Sequence, residues 1–152
     1  ELLRAIPPLI RNTHVFFFFF SLEYLQKGGR IGKISAVAGT LLQIKPIISF
    51  AEDGELVSAA KVRGRKAAMQ KMVQMTASLV PRGAVFNLAV AHGDSPEELR
   101  EIRVLAQQNM PGFLNFMEGE IDCTLGSYVG PHLQGLGVQM MDEAYSAVGS
   151  KN

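Results

Sequence analysis

The apolar positions of this chain switch repeatedly between a helical and an extended period. Residues 1–12 carry Leu2, Leu3, Ile6, Leu9 and Ile10 at mixed helical spacing, interrupted by Pro7-Pro8. That predicts a helix up to the prolines, followed by a turn or a short second helix. Asn12-Thr13 leads into Val15–Phe20, where five consecutive phenylalanines leave no alternation of polarity. Such a run reads as a strand covered on both faces; on an open edge it would invite aggregation. Ser21 is placed to cap a short helix, with Glu23 in its first turn and Leu22 and Leu25 on one face. Gly28 and Gly29 end that helix, since glycine takes positive φ without steric cost.

Further on, Ile34, Val37 and Leu41 recur at helical spacing up to about Leu42. Lys45 to Phe50 is strand-like with Pro46 near its start, and Asp53-Gly54 is a hairpin signal that returns the chain through Glu55 to about Val62. Gly64 opens a helix whose Ala68, Met69, Met72, Met75 or Thr76, and Leu79 form one apolar face. Pro81-Arg82-Gly83 turns the chain into a buried strand over Ala84 to Ala91. Ser95-Pro96-Glu97-Glu98 then starts a helix with an N-cap, a proline at the first position and a capping-box glutamate. Leu99, Ile102 and Leu105 or Ala106 mark its buried face, and Pro111-Gly112 ends it. Phe113 to Asp122 supplies another strand, a glycine-rich stretch runs from Gly126 to His132, and Leu136 to Met141 is the last strand. Strands alternating with helices, with one tight hairpin among them, predict an α/β (α+β) fold: a mixed β-sheet covered by helices.

Composition narrows the function. A chain of 152 residues that is 47% hydrophobic fits one globular domain with a real core. A net charge of +1 provides no global field for nucleic acid or a membrane surface. The single cysteine, Cys123, excludes an internal disulfide and a cysteine-based zinc site, and suits a reducing, cytoplasmic setting. No signal peptide is visible, and Val15–Phe20 is far too short to cross a bilayer. The chain opens at Glu1 within a helical pattern, so residues 1–12 read as a helical lead-in from a preceding region and 13–152 as the domain proper.

Several constellations carry candidate chemistry. Lys27, Arg30 and Lys33 rim the glycine bend; such a bend can hold an anion, or be a plain joint with solvated charges. It is not a P-loop: Gly32-Lys33 is followed by Ile34, and the position five before Gly32 is Lys27. His14, His92 and His132 have no second histidine or cysteine at ligand spacing, which argues against a metal site; His92-Gly93-Asp94 suits a turn. No G-x-S-x-G elbow is present. Lys61, Arg63, Arg65, Lys66 and Lys71 form the densest basic cluster. On a helix most of it would be a solvated face, but Arg63 and Arg65 lie at the helix start, poorly placed for its dipole, and suit an anionic ligand or an acidic partner surface. Tyr128 and His132 lie four apart in the glycine-rich stretch, where a neutral histidine could orient a carboxylate or phosphate.

Taken in order, these segments resemble the DegV family. Thr13-His14-Val15, Leu22-Glu23-Tyr24-Leu25, Lys27-Gly28-Gly29-Arg30-Ile31-Gly32, Ile44-Lys45-Pro46-Ile47, Lys61-Val62-Arg63, His92-Gly93-Asp94, Gly130-Pro131-His132 and Gly135-Leu136-Gly137 carry the likeness, from about Thr13 to Met140. The resemblance implies the C-terminal domain of a two-domain bacterial lipid carrier, with the N-terminal domain missing. Such a carrier binds a long-chain fatty acid and presents it to a separate fatty-acid kinase subunit, which phosphorylates its carboxylate. It further implies that His132 joins the head-group network, that Arg30 supports the architecture around it, and that Arg63 and Tyr128 lie near the kinase-facing surface. No catalytic residue, cofactor or nucleic-acid partner is implied; transient membrane contact would fit a lipid carrier. The phenylalanine run is more uniform than the family's strands, and the loop after His132 looks shorter.

Other function classes are distinguishable. An enzyme domain acting on a small carboxylated or phosphorylated substrate would use His132 as acid or base. Nucleic-acid binding would run through Lys61–Lys71 and would be strongly salt-dependent.

Overall fold

A computed structural model describes residues 2–35 and 44–141. The helix expected to end near Leu42 falls largely outside these residues. Six strands form one sheet: β1 Thr13–Phe18, β2 Ile44–Phe50, β3 Leu56–Arg63, β4 Phe86–His92, β5 Asn115–Glu120 and β6 Gln134–Met140, in the order β3-β2-β1-β6-β4-β5. The β4–β5 pair is parallel and every other pair is antiparallel. The mixed sheet with its β2–β3 hairpin is the expected architecture, and Gly54 takes the positive φ (82°) that the turn requires.

The phenylalanine run is read correctly by a sheet with two covered faces. Phe16 and Phe18 face α3 (Arg65–Leu79) and α4 (Pro96–Asn109), in a core with Ile47, Met72, Leu88, Ile102 and Leu136. Phe19, on the other side, joins Leu25, Ile34, Ile48, Val129 and Leu133 in a second core, with Phe17 packed against it. That core lies beneath α2 (Glu23–Lys27), the 3-10 turn Gly32–Ile34 and α5 (Cys123–Val129). Phe20 lies past the strand end and is exposed.

Two readings of helix extent need correction. Helix α1 (Leu2–Asn12) runs through Pro7 and Pro8 rather than stopping before them. The proline ring fixes φ near the helical value, so the helix forfeits ladder donors but keeps its path. Leu3, Ile6 and Ile10 of this helix are exposed. The stretch before His132 is not simply a glycine-rich loop: residues Cys123–Val129 are helical, capped by Asp122, whose Oδ1 accepts from the Leu125 N–H at 2.8 Å.

Candidate polar head site

One end of the sheet gathers the termini of β1, β4 and β3 and the starts of β2 and β6. His132 reaches this end because two loops clasp each other. Its N–H donates to Gly93 O (2.6 Å), and the Gly93 N–H donates to Leu133 O (3.0 Å). The clasp holds His132 at φ 61°, a left-handed conformation costing a non-glycine residue about 1–3 kcal/mol. Gly130 packs so closely on Tyr24 that any Cβ there would collide with the ring.

The His132 side chain, 43% exposed, lies with Nδ1 3.1 Å from Glu98 Oε1. Arg65 forms an ion pair with that same Glu98 oxygen. Gln134, fully buried, donates from Nε2 to Glu98 Oε2 (3.0 Å) and to Ser95 Oγ (2.8 Å). Its Oε1 is a buried acceptor with no hydrogen-bond partner among the described residues. The Ser95 N–H donates to His92 Nδ1 (3.0 Å), which gives His92 the turn role expected of it. The Phe20 ring lies 5.5 Å from that of His132, and Lys45 Nζ stands 4.8 Å from the Phe20 ring while donating to Phe20 O (2.6 Å).

The N-terminus of α4 is thus not built as its sequence suggests. Ser95 precedes the helix but makes no side-chain cap, and Glu98 does not fold back on it. Both side chains are turned instead toward Gln134, His132 and Arg65. A local rule set aside for a polar cluster is a mark of a functional site. Burial pushes the Glu98 carboxyl up, but the hydrogen bond and charge of Arg65, with His132 behind them, outweigh it and hold Glu98 below its ordinary value of 4.5. Burial, and then the charge of Arg65, lowers Lys45.

A carboxylate whose value is depressed by folding contributes stability above its unfolded value and loses it as pH falls through the folded one. The stability difference between the wild type and Glu98→Gln should therefore be largest near neutral pH and shrink below about pH 4.5. Urea midpoints for both proteins across that range test this. A difference that stays constant with pH would leave the ion pair without the assigned weight.

Of the other anticipated residues, Arg30 lies over the Tyr128 ring, 4.7 Å from its centroid, and donates to Gly28 O (3.1 Å). It is thus brought together with Tyr128 rather than bonded to His132. Tyr128 sits on α5, half-buried, and a Cβ at Gly28 would lie 2.6 Å from its Cδ1. Gly28 accordingly serves close approach at φ −78°, and only Gly29 takes positive φ, contrary to the expectation for both. Arg63 is exposed at the end of β3. The basic bend is a plain joint: Lys27 pairs with Glu23, and Lys33 with Asp53 and Glu55. Arg65, read as a cation awaiting an anion, meets its acidic partner within the chain.

A different feature lies on the sheet face opposite α3 and α4. There Gly135 pairs with Phe17 and Ala91, and Gly137 with Val15 and Ala89. A Cβ on either glycine would meet only ordinary contacts, 3.7 Å or more away, with those neighbours. The centre of this face is therefore an apolar floor of small residues beginning three positions after His132. A separate cleft of about 540 Å3 opens beside Gly93 and Pro131, but Asp94, Glu120 and Asp122 line it, which disfavours an anion. No described helix is long and apolar enough to cross a membrane.

Comparison with known proteins agrees with this architecture. The DegV family model, described as "Uncharacterised protein, DegV family", matches residues 1–140, and the chain belongs to this family. A DegV domain-containing protein of Clostridium acetobutylicum is 37% identical over 137 residues, covering 90% of this chain and 48% of the relative. One from Clostridium perfringens is 32% identical over 139 residues, 91% of this chain and 49% of its own length. The chain spans about half the length of the curated relatives it matches. Among solved structures, a fatty-acid-binding DegV family protein of Thermus thermophilus has a TM-score of 0.78 at 27% identity, over 92% of this chain and 50% of the other. A DegV family protein of Ruminococcus gnavus refined with vaccenic acid has a TM-score of 0.79 at 24% identity, over 90% and 48%.

Proposed function

We propose that this chain is the C-terminal domain of a two-domain, non-catalytic carrier that binds a long-chain fatty acid and presents its carboxylate to a separate kinase subunit. The observation that carries this reading is that His132, at one end of the sheet, is followed along β6 by an apolar floor. The ring is held through Nδ1, its Nε2 has no partner among the described residues, and Gly135 and Gly137 follow on β6, which begins two residues after it. In this reading the carboxylate meets His132 and the acyl chain lies along β6. Burying about ten methylenes contributes on the order of 8 kcal/mol before the costs of association. A buried, unpaired carboxylate would cost several kcal/mol, so the head needs donors, His132 here and others from the second domain. The solved relatives described with fatty acids support the ligand class.

His132→Ala tests the head. It should weaken fatty-acid binding by about 1–3 kcal/mol through loss of one hydrogen bond to a buried partner. Unchanged affinity at a pH where the ligand is ionised would remove His132 from the site. Arg30 enters this account through Tyr128, whose ring it covers beside the glycine bend.

Arg63 and Tyr128 belong, in this account, to the surface that meets the kinase. Arg63→Ala should change stability by no more than about 1 kcal/mol, as a substitution at an exposed strand end. It should slow acyl-phosphate formation more than it weakens fatty-acid binding. Normal acyl-phosphate formation at limiting carrier concentration would strip Arg63 of that role.

A further inference from the structure

The contact that holds His132 also dictates how the ring can hold a carboxylate, an inference that rests on the carrier reading above. Both Glu98 oxygens are engaged: Oε1 takes Arg65 and the His132 ring, and Oε2 takes Gln134. An ionised carboxylate only accepts hydrogen bonds. The proton in the 3.1 Å contact between His132 Nδ1 and Glu98 Oε1 therefore sits on Nδ1. In the neutral ring this leaves Nε2 with a lone pair and no proton. A lone pair facing an ionised acyl carboxylate repels it. Two arrangements remain: an imidazolium donating from Nε2 to the carboxylate, or a protonated acid donating to Nε2. Each holds one more proton than a neutral histidine plus an ionised ligand.

We propose that Glu98 is a positioning residue that makes capture of an acyl carboxylate a proton-taking step, by committing the neutral His132 ring to the tautomer that cannot bind the anion. The proton comes from solvent and rests between Nε2 and the ligand oxygen. The surrounding charges suit this count. Arg65 of α3 offsets Glu98 of α4, and the imidazolium offsets the incoming carboxylate. Lys45 of β2 stands over Phe20, His92 of β4 is committed to the Ser95 N–H, and Asp94 of the next loop has its N–H on Glu120. None of these three is bonded to the His132 ring.

Glu98→Gln should uncouple the proton. The amide can donate to Nδ1, so the neutral ring can carry its hydrogen on Nε2 and bind the carboxylate directly. Arg65, left without its carboxylate, then disfavours the imidazolium. The test is calorimetry of the intact, delipidated protein with oleate and with oleyl alcohol, in two buffers of different ionisation enthalpy. It is run about one pH unit above the midpoint at which the His132 ring titrates in the ligand-free protein, located by NMR. Wild type should take up about one proton per oleate and none per oleyl alcohol, with oleate affinity falling about tenfold per pH unit. Glu98→Gln should show almost no uptake and a flat pH profile, and Glu98→Asp should restore the uptake. Oleate binding without proton uptake in the wild type would overturn the proposal, as would undiminished uptake in Glu98→Gln. If Glu98→Gln does not fold, the wild-type proton count decides alone. Failure to bind either oleate or oleyl alcohol would instead sink the carrier reading, and this proposal with it.

Discussion

Gly137→Leu is expected to fold normally and yet lose long-chain fatty-acid binding. The glycine has ordinary strand geometry, and an added Cβ meets Val15 Cγ2 at 3.7 Å and Ala89 Cβ at 4.0 Å, so the backbone accepts a side chain. Glycine within a strand costs roughly 0.5–1 kcal/mol relative to alanine, so the substitution should not reduce stability. A leucine there would stand on the floor along which the acyl chain is proposed to lie. Displacing three or four methylenes at about 0.8 kcal/mol each would weaken binding on the order of a hundredfold. Gly137→Ala should fall in between, and a short acyl chain that stops before Gly137 should be little affected. Titration of fatty acids of graded length against the three proteins makes the measurement. If long chains bind Gly137→Leu as tightly as wild type, the tail lies elsewhere.

The second large effect separates neighbouring members of the phenylalanine run. Phe18 is fully buried between the sheet and α3, so Phe18→Ala should cost about 3–5 kcal/mol. That is a large part of the 5–15 kcal/mol typical of a domain. Phe20, 55% exposed, should cost far less on truncation, and its loss should instead disturb His132 and Lys45, which pack on its ring. Urea unfolding of the two variants side by side tests this. Equal destabilisation would mean that the run is not a strand buried on alternate faces followed by an exposed end.

Much of the architecture could be read from the chain because hydrophobic period and turn chemistry agree along it. The uniform phenylalanines required cover on both sides, and Asp53-Gly54 required a hairpin. Pro7-Pro8 misled because proline's penalty in a helix is an average; its φ remains helical, and α1 continues through it. Helix α5 was obscured by Gly126 and Gly130, although Asp122 three residues before Leu125 was a legible cap.

The polar site was only half legible. His132 was recognisable from its motif and its glycine-rich surroundings. Glu98 was recognisable only as a capping-box residue, since local spacing favours the local partner. That it serves His132 instead depends on α3, α4 and β6 converging at one sheet end, a long-range arrangement that no short window contains. Arg65 stood out as a cation misplaced for its helix dipole, and its partner proved to be this same glutamate. Gln134 left no trace in the sequence pattern, because a lone polar residue at a strand start looks solvent-facing until the fold buries it.

The claim that this domain belongs to a fatty-acid carrier is tested most directly by extracting the intact protein under denaturing conditions and weighing its lipid by mass spectrometry. Long-chain fatty acid is expected at about one molecule per chain in freshly purified protein, because the proposed site, an apolar floor with a polar head group at one end, would hold such a ligand through purification. Repeated extractions that yield no stoichiometric fatty acid, from protein that also fails to take it up when supplied, would contradict it.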